Sequence, residues 1–257
     1  MLFVRCRFLH RPQVRLAYEI DGDPGPWLLF LHGAGCDNRD WDGVRACLKG
    51  KPFRLLFLEF RGHGASSVFP GPFSIEDLAA DALALLKHLA IPRARFVGHS
   101  LGGMTALAAA RQNPDAVESV ILIEGWTALR ASRAFGPNRF YGNLPSQAIE
   151  RITAKALATR RRHTPDNWAT FWSSVQAFDG SDLLASPFCL VREVYGAMGR
   201  RPDSEKQLLV PAHPRIAWSW IPDCGHYVPL EKPAETAAVC QMPITPSGSH
   251  APGTPAL

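Results

Sequence analysis

Apolar side chains along this chain follow two rhythms that succeed one another in a regular order. Residues 3–9 and 14–20 alternate apolar and polar positions. His10-Arg11-Pro12 separates them and Asp21-Gly22-Asp23-Pro24-Gly25-Pro26 closes them, which predicts an opening antiparallel hairpin. Trp27–Leu31, Phe53–Leu58, Arg95–Val97 and Val120–Ile123 are short apolar runs of the kind found in sheet strands buried on both faces. Cys189–Tyr195 and Ile216–Ile221 supply two further strands. Between them the period lengthens. Asp37 or Asn38 caps a helix running to about Leu48, with Trp41 packing beneath the adjoining loop. Ser74 and Asp77 open an amphipathic helix with Ile75, Leu78, Ala82, Leu85, Leu86 and Leu89 on its apolar face. A small-residue helix follows Ser100 and stops before Pro114. From Thr127 to about Leu184 the strand rhythm is lost; this stretch is helical in character and rich in Arg, Trp and Phe, with Trp168, Phe171, Trp172 and Phe178 spaced to bury part of one face. That aromatic stripe reads first as the interior of a lid, so no binding residue is assigned from it.

Strands alternating with helices over 257 residues describe one large α/β domain with an inserted lid. The boundaries fall at 1–126 and 185–240 for the core and 127–184 for the cap. Gln241–Leu257, with prolines at 243, 246, 252 and 255, forms a disordered tail. No internal repeat is visible. A hydrophobic content of 46% and a charged content of 20% suit a globular protein. The net charge of +5 is dispersed except at Arg160-Arg161-Arg162-His163. Without an aromatic-interleaved basic stripe, that cluster reads as a solvated helix end, not a nucleic-acid surface. Six cysteines lack both C-x-x-C spacing and a compact framework, as expected of free thiols in a reducing compartment. The N-terminal residues alternate like a strand and contain no uninterrupted apolar run, so no signal peptide is expected. No run reaches the length of a membrane span, and the expected location is cytoplasmic.

The chemistry centres on Ala94–Asn113. Its strand breaks into Gly98-His99-Ser100-Leu101-Gly102 and then enters a helix, which is G-x-S-x-G in the strand, tight turn and helix setting of a nucleophile elbow. A side chain at either glycine would collide with the neighbouring strand or helix, and the turn lifts Ser100 clear at a helix N-terminus. There the backbone N–H of Leu101 is placed to donate to an oxyanion. His32-Gly33-Ala34-Gly35 follows an early buried strand, where the N–H of Ala34 is the candidate second donor; the alternative is an ordinary strand-to-helix turn. Of the nine histidines, His226, on a turn after the last strand and preceded by Gly225, is best placed as a general base. Glu124, ending the Val120–Ile123 strand, has two readings: a surface glutamate beside a turn, or the acid that orients a catalytic histidine. Glu59-Phe60-Arg61-Gly62-His63-Gly64-Ala65-Ser66 reads as a polar loop stapled by Glu59 and Arg61, because metal-ligand spacing is missing.

His32-Gly33, Arg61-Gly62-His63-Gly64-Ala65-Ser66, Gly98-His99-Ser100-Leu101-Gly102-Gly103 and Gly225-His226 followed by Glu231-Lys232-Pro233 stand in an order that resembles the α/β-hydrolase superfamily. The resemblance covers roughly residues 10–240. It implies an eight-stranded, mostly parallel sheet with a helical cap inserted after strand six. It also implies Ser100 as nucleophile, His226 as base, and Leu101 and Ala34 as oxyanion donors. Three departures matter. Most members carry the triad acid after strand seven in a pattern like G-x-x-D, where this chain has Gly196-Ala197-Met198-Gly199. Some place it after strand six, which selects Glu124, with Asp203 in reserve. Glu59 replaces the usual aspartate before Arg-Gly-His-Gly, and the closing helix stops near Cys240, implying an altered C-terminal end. The resemblance implies acyl transfer from a small-molecule carboxylic ester to water, without metal or cofactor. Carbon–carbon bond hydrolase, lactonase and thioesterase activities use the same parts, and a hydrolase-fold binding protein with a decayed triad is the alternative of another class. Serine at position 100 argues against the dehalogenase and epoxide-hydrolase branches, which need aspartate there.

Overall fold

The computed structural model describes residues 6–136, 139–199 and 201–243. Residues 3–5 of the expected first strand and 244–257 of the expected tail lie outside the described residues. In chain order the strands are β1 (Arg7–Arg11), β2 (Val14–Gly22), β3 (Trp27–Leu31), β4 (Arg54–Leu58), β5 (Ala94–His99), β6 (Val117–Ile123), β7 (Leu190–Gly196) and β8 (Ile216–Ile221). They form one eight-stranded sheet in the order β1-β2-β4-β3-β5-β6-β7-β8. β1 and β2 pair antiparallel, β2 pairs antiparallel with β4, and every later pairing is parallel. The hairpin, the six apolar runs and the eight-stranded sheet expected from the sequence are all present, with strand ends shifted by up to three residues.

The continuous apolar runs are explained by helices on both faces. Leu29, Leu31, Leu56, Leu58, Phe96 and Leu122 point to one side, where α2 (Ile75–His88) and α3 (Leu101–Gln112) cover them. Leu28, Phe30, Leu55, Phe57, Val97 and Ile121 point to the other, against α1 (Asp42–Leu48) and the closing helix α8 (Pro233–Gln241). Odd and even positions thus serve different cores, as the two-residue strand period requires. Side chains satisfy free amides at two of the helical starts beside these strands. Asp37 caps a short 3₁₀ turn (Asn38–Trp41) leading into α1, and Ser74 and Asp77 form a reciprocal capping box at α2. α3 is buried from Leu101 to Ala110, with residues small enough to bring it close to the sheet.

Between β6 and β7 the chain forms a 3₁₀ segment (Leu129–Ala134), α4 (Ser146–Arg161), α5 (Pro165–Ala177) and α6 (Ser181–Ala185). Phe171 and Phe178 are buried, while Trp168 and Trp172 are only partly so. A short α7 (Val228–Glu231) precedes α8. All six cysteines are free, and among the described residues no helix is long and apolar enough to cross a membrane.

Glu59 and Arg61 do staple their loop, each through its own partners. Glu59 accepts from the amides of Asn38 (3.3 Å) and Ala65 (2.5 Å), whereas Arg61 makes a bidentate pair with buried Asp81 on α2, both bonds 2.8 Å. One sequence reading needs correction: Arg160-Arg161-Arg162-His163 is not merely a solvated helix end. Arg162 donates to the carbonyls of Gly64 (2.8 Å) and Ser66 (2.6 Å), and His163 is buried between Phe73 and Trp168.

Glu193 in β7 is a fully buried carboxyl group in the sheet. It lies between Leu122 of β6 and Trp218 of β8, and neither carboxyl oxygen has a hydrogen-bond partner among the described residues. Burial pushes its carboxyl up to about 8, only partly opposed by the nearby Tyr195 hydroxyl. The folded chain therefore holds this proton while the unfolded chain releases it near 4.5, so stability is lost as pH rises from about 4.5 to about 8. Glu193→Gln is expected to melt at a higher temperature than the wild type at pH 8, with the difference vanishing towards pH 4.5. Thermal melts across that range check this.

Candidate active site

Ser100 links β5 to α3 with φ 52° and ψ −117°, a backbone conformation that a side-chain-bearing residue adopts only when its surroundings enforce it. The enforcement is steric. A Cβ on Gly98 would lie 2.3 Å from the carbonyl oxygen of Gly102, and one on Gly102 would lie 2.0 Å from that of Leu31 in β3. The amide of Ser100 donates to Ile123 (2.9 Å), tying the bend to the end of β6. The N–H groups of Leu101 and Ala34 donate to no described residue.

The loop carrying Ala34 is held by buried His32. Its Nδ1 donates to the Gly33 carbonyl (2.7 Å), and its Nε2 accepts from the amide of Phe60 (3.1 Å). Burial pushes His32 down to about 4, keeping the ring neutral and able to play both roles. His99, beside the serine, is likewise pushed down to about 3 by burial, and its Nε2 donates to the backbone carbonyl of His226 (2.9 Å). A neutral histidine on the serine's own strand thus anchors the turn that carries the second histidine.

His226 faces the same cavity as Ser100, with its ring parallel to Trp126 (centroids 5.6 Å apart) and nearly parallel to Phe140 (5.0 Å). Its Nδ1 donates to Glu124 Oε2 at 3.3 Å, which leaves Nε2 as the ring's remaining nitrogen. Glu124 is fully buried and has φ 50°. Its amide donates to Val194 and its Oε1 accepts from the amide of Gly196 (2.8 Å), so the end of β7 holds it through both backbone and side chain. The surface reading of Glu124 is thereby excluded. Asp203 is exposed, caps a local turn by accepting from the amide of Lys206 (2.7 Å), and has no bond to His226. The five residues Ser100, His226, Glu124, Ala34 and Leu101 gather at one edge of the sheet, and the reserve acid does not join them.

The structure adds groups that no motif announced. Arg139 makes a bidentate pair with Glu124, with Nη1 on Oε2 at 3.0 Å and Nη2 on Oε1. Nothing in the sequence marks it, since it lies in an irregular stretch fifteen residues from its partner. The cavity has a volume of about 580 Å³ and is walled by Trp126, Leu129, Phe135, Phe140, Trp168 and Trp172. Arg160 and Arg139 bring positive charge to it. The partial burial of Trp168 and Trp172 reflects this role, so the aromatic stripe divides between interior and cavity wall. Among the described residues no group of three or more His, Cys, Asp or Glu side chains could hold a metal ion.

Two consequences are measurable. Gly102→Ala must displace β3 from α3 and is expected to destabilise the fold by roughly 1–3 kcal/mol or more, read from denaturant unfolding. The neutral histidines govern the acid limb of stability. His32 and His99 have folded-state values below the usual 6.5, so their contribution is complete above about 6.5 and is lost as pH falls towards 4 and 3 respectively. The denaturation midpoint should fall through that window, and less steeply in His99→Gln.

Residues 26–178, more than half of the chain, match the family described as the alpha/beta hydrolase fold. Over 97 residues the chain is 39% identical to 3-oxoadipate enol-lactonase 2 of Acinetobacter baylyi, a match covering 38% of this chain and 36% of the relative. The matched segment thus spans about a third of that relative's length. Among solved structures, a hydrolase from Pseudomonas aeruginosa aligns over 91% of this chain and 96% of its own, with 25% identity and a TM-score of 0.74. The enol-lactonase from Burkholderia xenovorans aligns over 91% and 98%, with 25% identity and a TM-score of 0.69. With the serine at its bend and the eight-stranded sheet beneath it, the chain belongs to the α/β hydrolase fold family.

Proposed function

We propose that this hydrolase cleaves a carboxylic ester through an acyl-enzyme on Ser100. The observation that carries the reading is that Ser100, on a strained bend, and His226, with Nδ1 on a buried carboxylate, face one cavity. His226 Nε2 takes the Ser100 proton as the oxygen attacks the carbonyl carbon. Glu124 keeps the proton on Nδ1 and offsets the imidazolium charge. The amides of Leu101 and Ala34 receive the charge on the tetrahedral oxygen, and His226 returns the proton to the departing alcohol. Water then repeats the sequence on the acyl-enzyme and frees Ser100.

The apolar, aromatic walls favour a medium-sized ester with a hydrophobic acyl or alcohol part. A second reading, opening of a lactone ring, draws support from the two enol-lactonases the chain resembles, and it uses the same bond-making steps. The cap role of the inserted helices belongs to this proposal: α4 supplies Arg160 and α5 supplies Trp168 and Trp172 to the cavity. A decayed, binding-only protein would not need a buried carboxylate fixed on the ring nitrogen of its histidine.

A fluorophosphonate probe is expected to label the wild type at one site and to leave Ser100→Ala unlabelled. On nitrophenyl esters, Glu124→Gln should lower kcat by about 10⁴-fold, while Asp203→Asn leaves it within threefold. Wild-type protein that takes no label would remove the catalytic reading. A preference for lactones over open-chain esters of equal size would select the second.

A further inference from the structure

We infer that Arg139 is a positioning residue that holds the Glu124 carboxylate in the orientation His226 needs, and so makes an acid at the end of β6 usable. The inference rests on the proposed Ser100 chemistry. Glu124 is wholly buried, and a carboxylate in such a place needs fixed partners for its oxygens. His226 is the group to be assisted, which leaves Arg139 as the permanent counter-charge at the carboxylate.

The geometry is that of a clamp. Arg139 Nη1 shares Oε2 with His226 Nδ1, and Nη2 shares Oε1 with the amide of Gly196. Nη2 also donates to the Gly196 carbonyl at 3.0 Å, closing a ring between the arginine, the carboxylate and the end of β7. The arginine's own carbonyl accepts from the amide of His226 at 3.2 Å. One residue therefore holds both partners of the acid–base pair, one by its side chain and the other by its backbone. The guanidinium in turn lies over the Phe135 ring, 3.8 Å from its centroid. Arg139 belongs to the segment between β6 and α4, so docking of that segment and placement of the carboxylate are one event.

The test compares wild type, Arg139→Met and Arg139→Lys for fluorophosphonate labelling, kcat and KM on a nitrophenyl ester, and the pH profile of kcat. Arg139→Met is expected to lose at least 100-fold in kcat with KM within threefold, and its acidic limb should move up by at least one pH unit, because a cation is removed from beside the Glu124–His226 pair. Arg139→Lys, which restores a cation but not the fork, should recover about tenfold of that loss and return the limb towards its wild-type position. If Arg139→Met does not fold, the limb and kcat of Arg139→Lys against wild type carry the test. Labelling and turnover that survive in either soluble variant, with the limb unmoved, overturn the clamp while the serine mechanism stands. So does a loss of activity that follows melting temperature with no change of limb. Wild-type protein that neither labels nor turns over ester overturns both.

Discussion

Everything at the site depends on how closely α3 approaches β3 and β5. The bend at Ser100 exists because the helix starts almost against the carbonyls of Leu31 and His32, an approach that only hydrogen at position 102 permits. That contact fixes the helix axis, hence the direction of the free Leu101 amide and the height of the serine above the sheet. Gly103 repeats the device one residue on, where it faces Gly125 beyond the end of β6. Two strand ends and one helix start are thereby locked in a single frame, and Glu124 lies in the same frame as Ser100.

Charge is handled in a matching way. Buried ion pairs contribute little to stability when they merely replace apolar contacts, but breaking one strands a charge in the interior. Arg61 with Asp81 and Arg139 with Glu124 are both of this kind, and each ties a loop on the working edge of the sheet to a rigid element. Around them the histidines of this edge, His32, His63 and His99, are kept neutral by burial, so each serves as a directional donor, and His32 as an acceptor too. Only His226 among them carries a carboxylate on its ring nitrogen. The difference between His226 and the other histidines at this edge is thus one of partner, not of burial.

The inserted helices are part of the same construction. Arg162 grips the loop after β4, Lys155 on α4 pairs with Asp37 and Asp40 beside the Ala34 loop, and Arg139 grips the acid. The cavity between insertion and sheet is walled largely by apolar and aromatic side chains.

The linear sequence determined what depends on neighbours in the chain. The period-two runs give strands, capping side chains give the starts of α1 and α2, and G-x-S-x-G gives the bend, because each is a local steric or hydrogen-bonding requirement. The residues at 100, 226, 34 and 101 were legible for that reason, sitting at strand ends that a parallel sheet must gather on one edge. What tertiary structure alone decided was which charges meet. Glu124 over Asp203, Arg139 on Glu124, and Arg61 on Asp81 instead of Glu59 all join elements distant in sequence or held in irregular backbone. No local pattern encodes such pairings, since an ion pair is selected by the space left after strands and helices have packed.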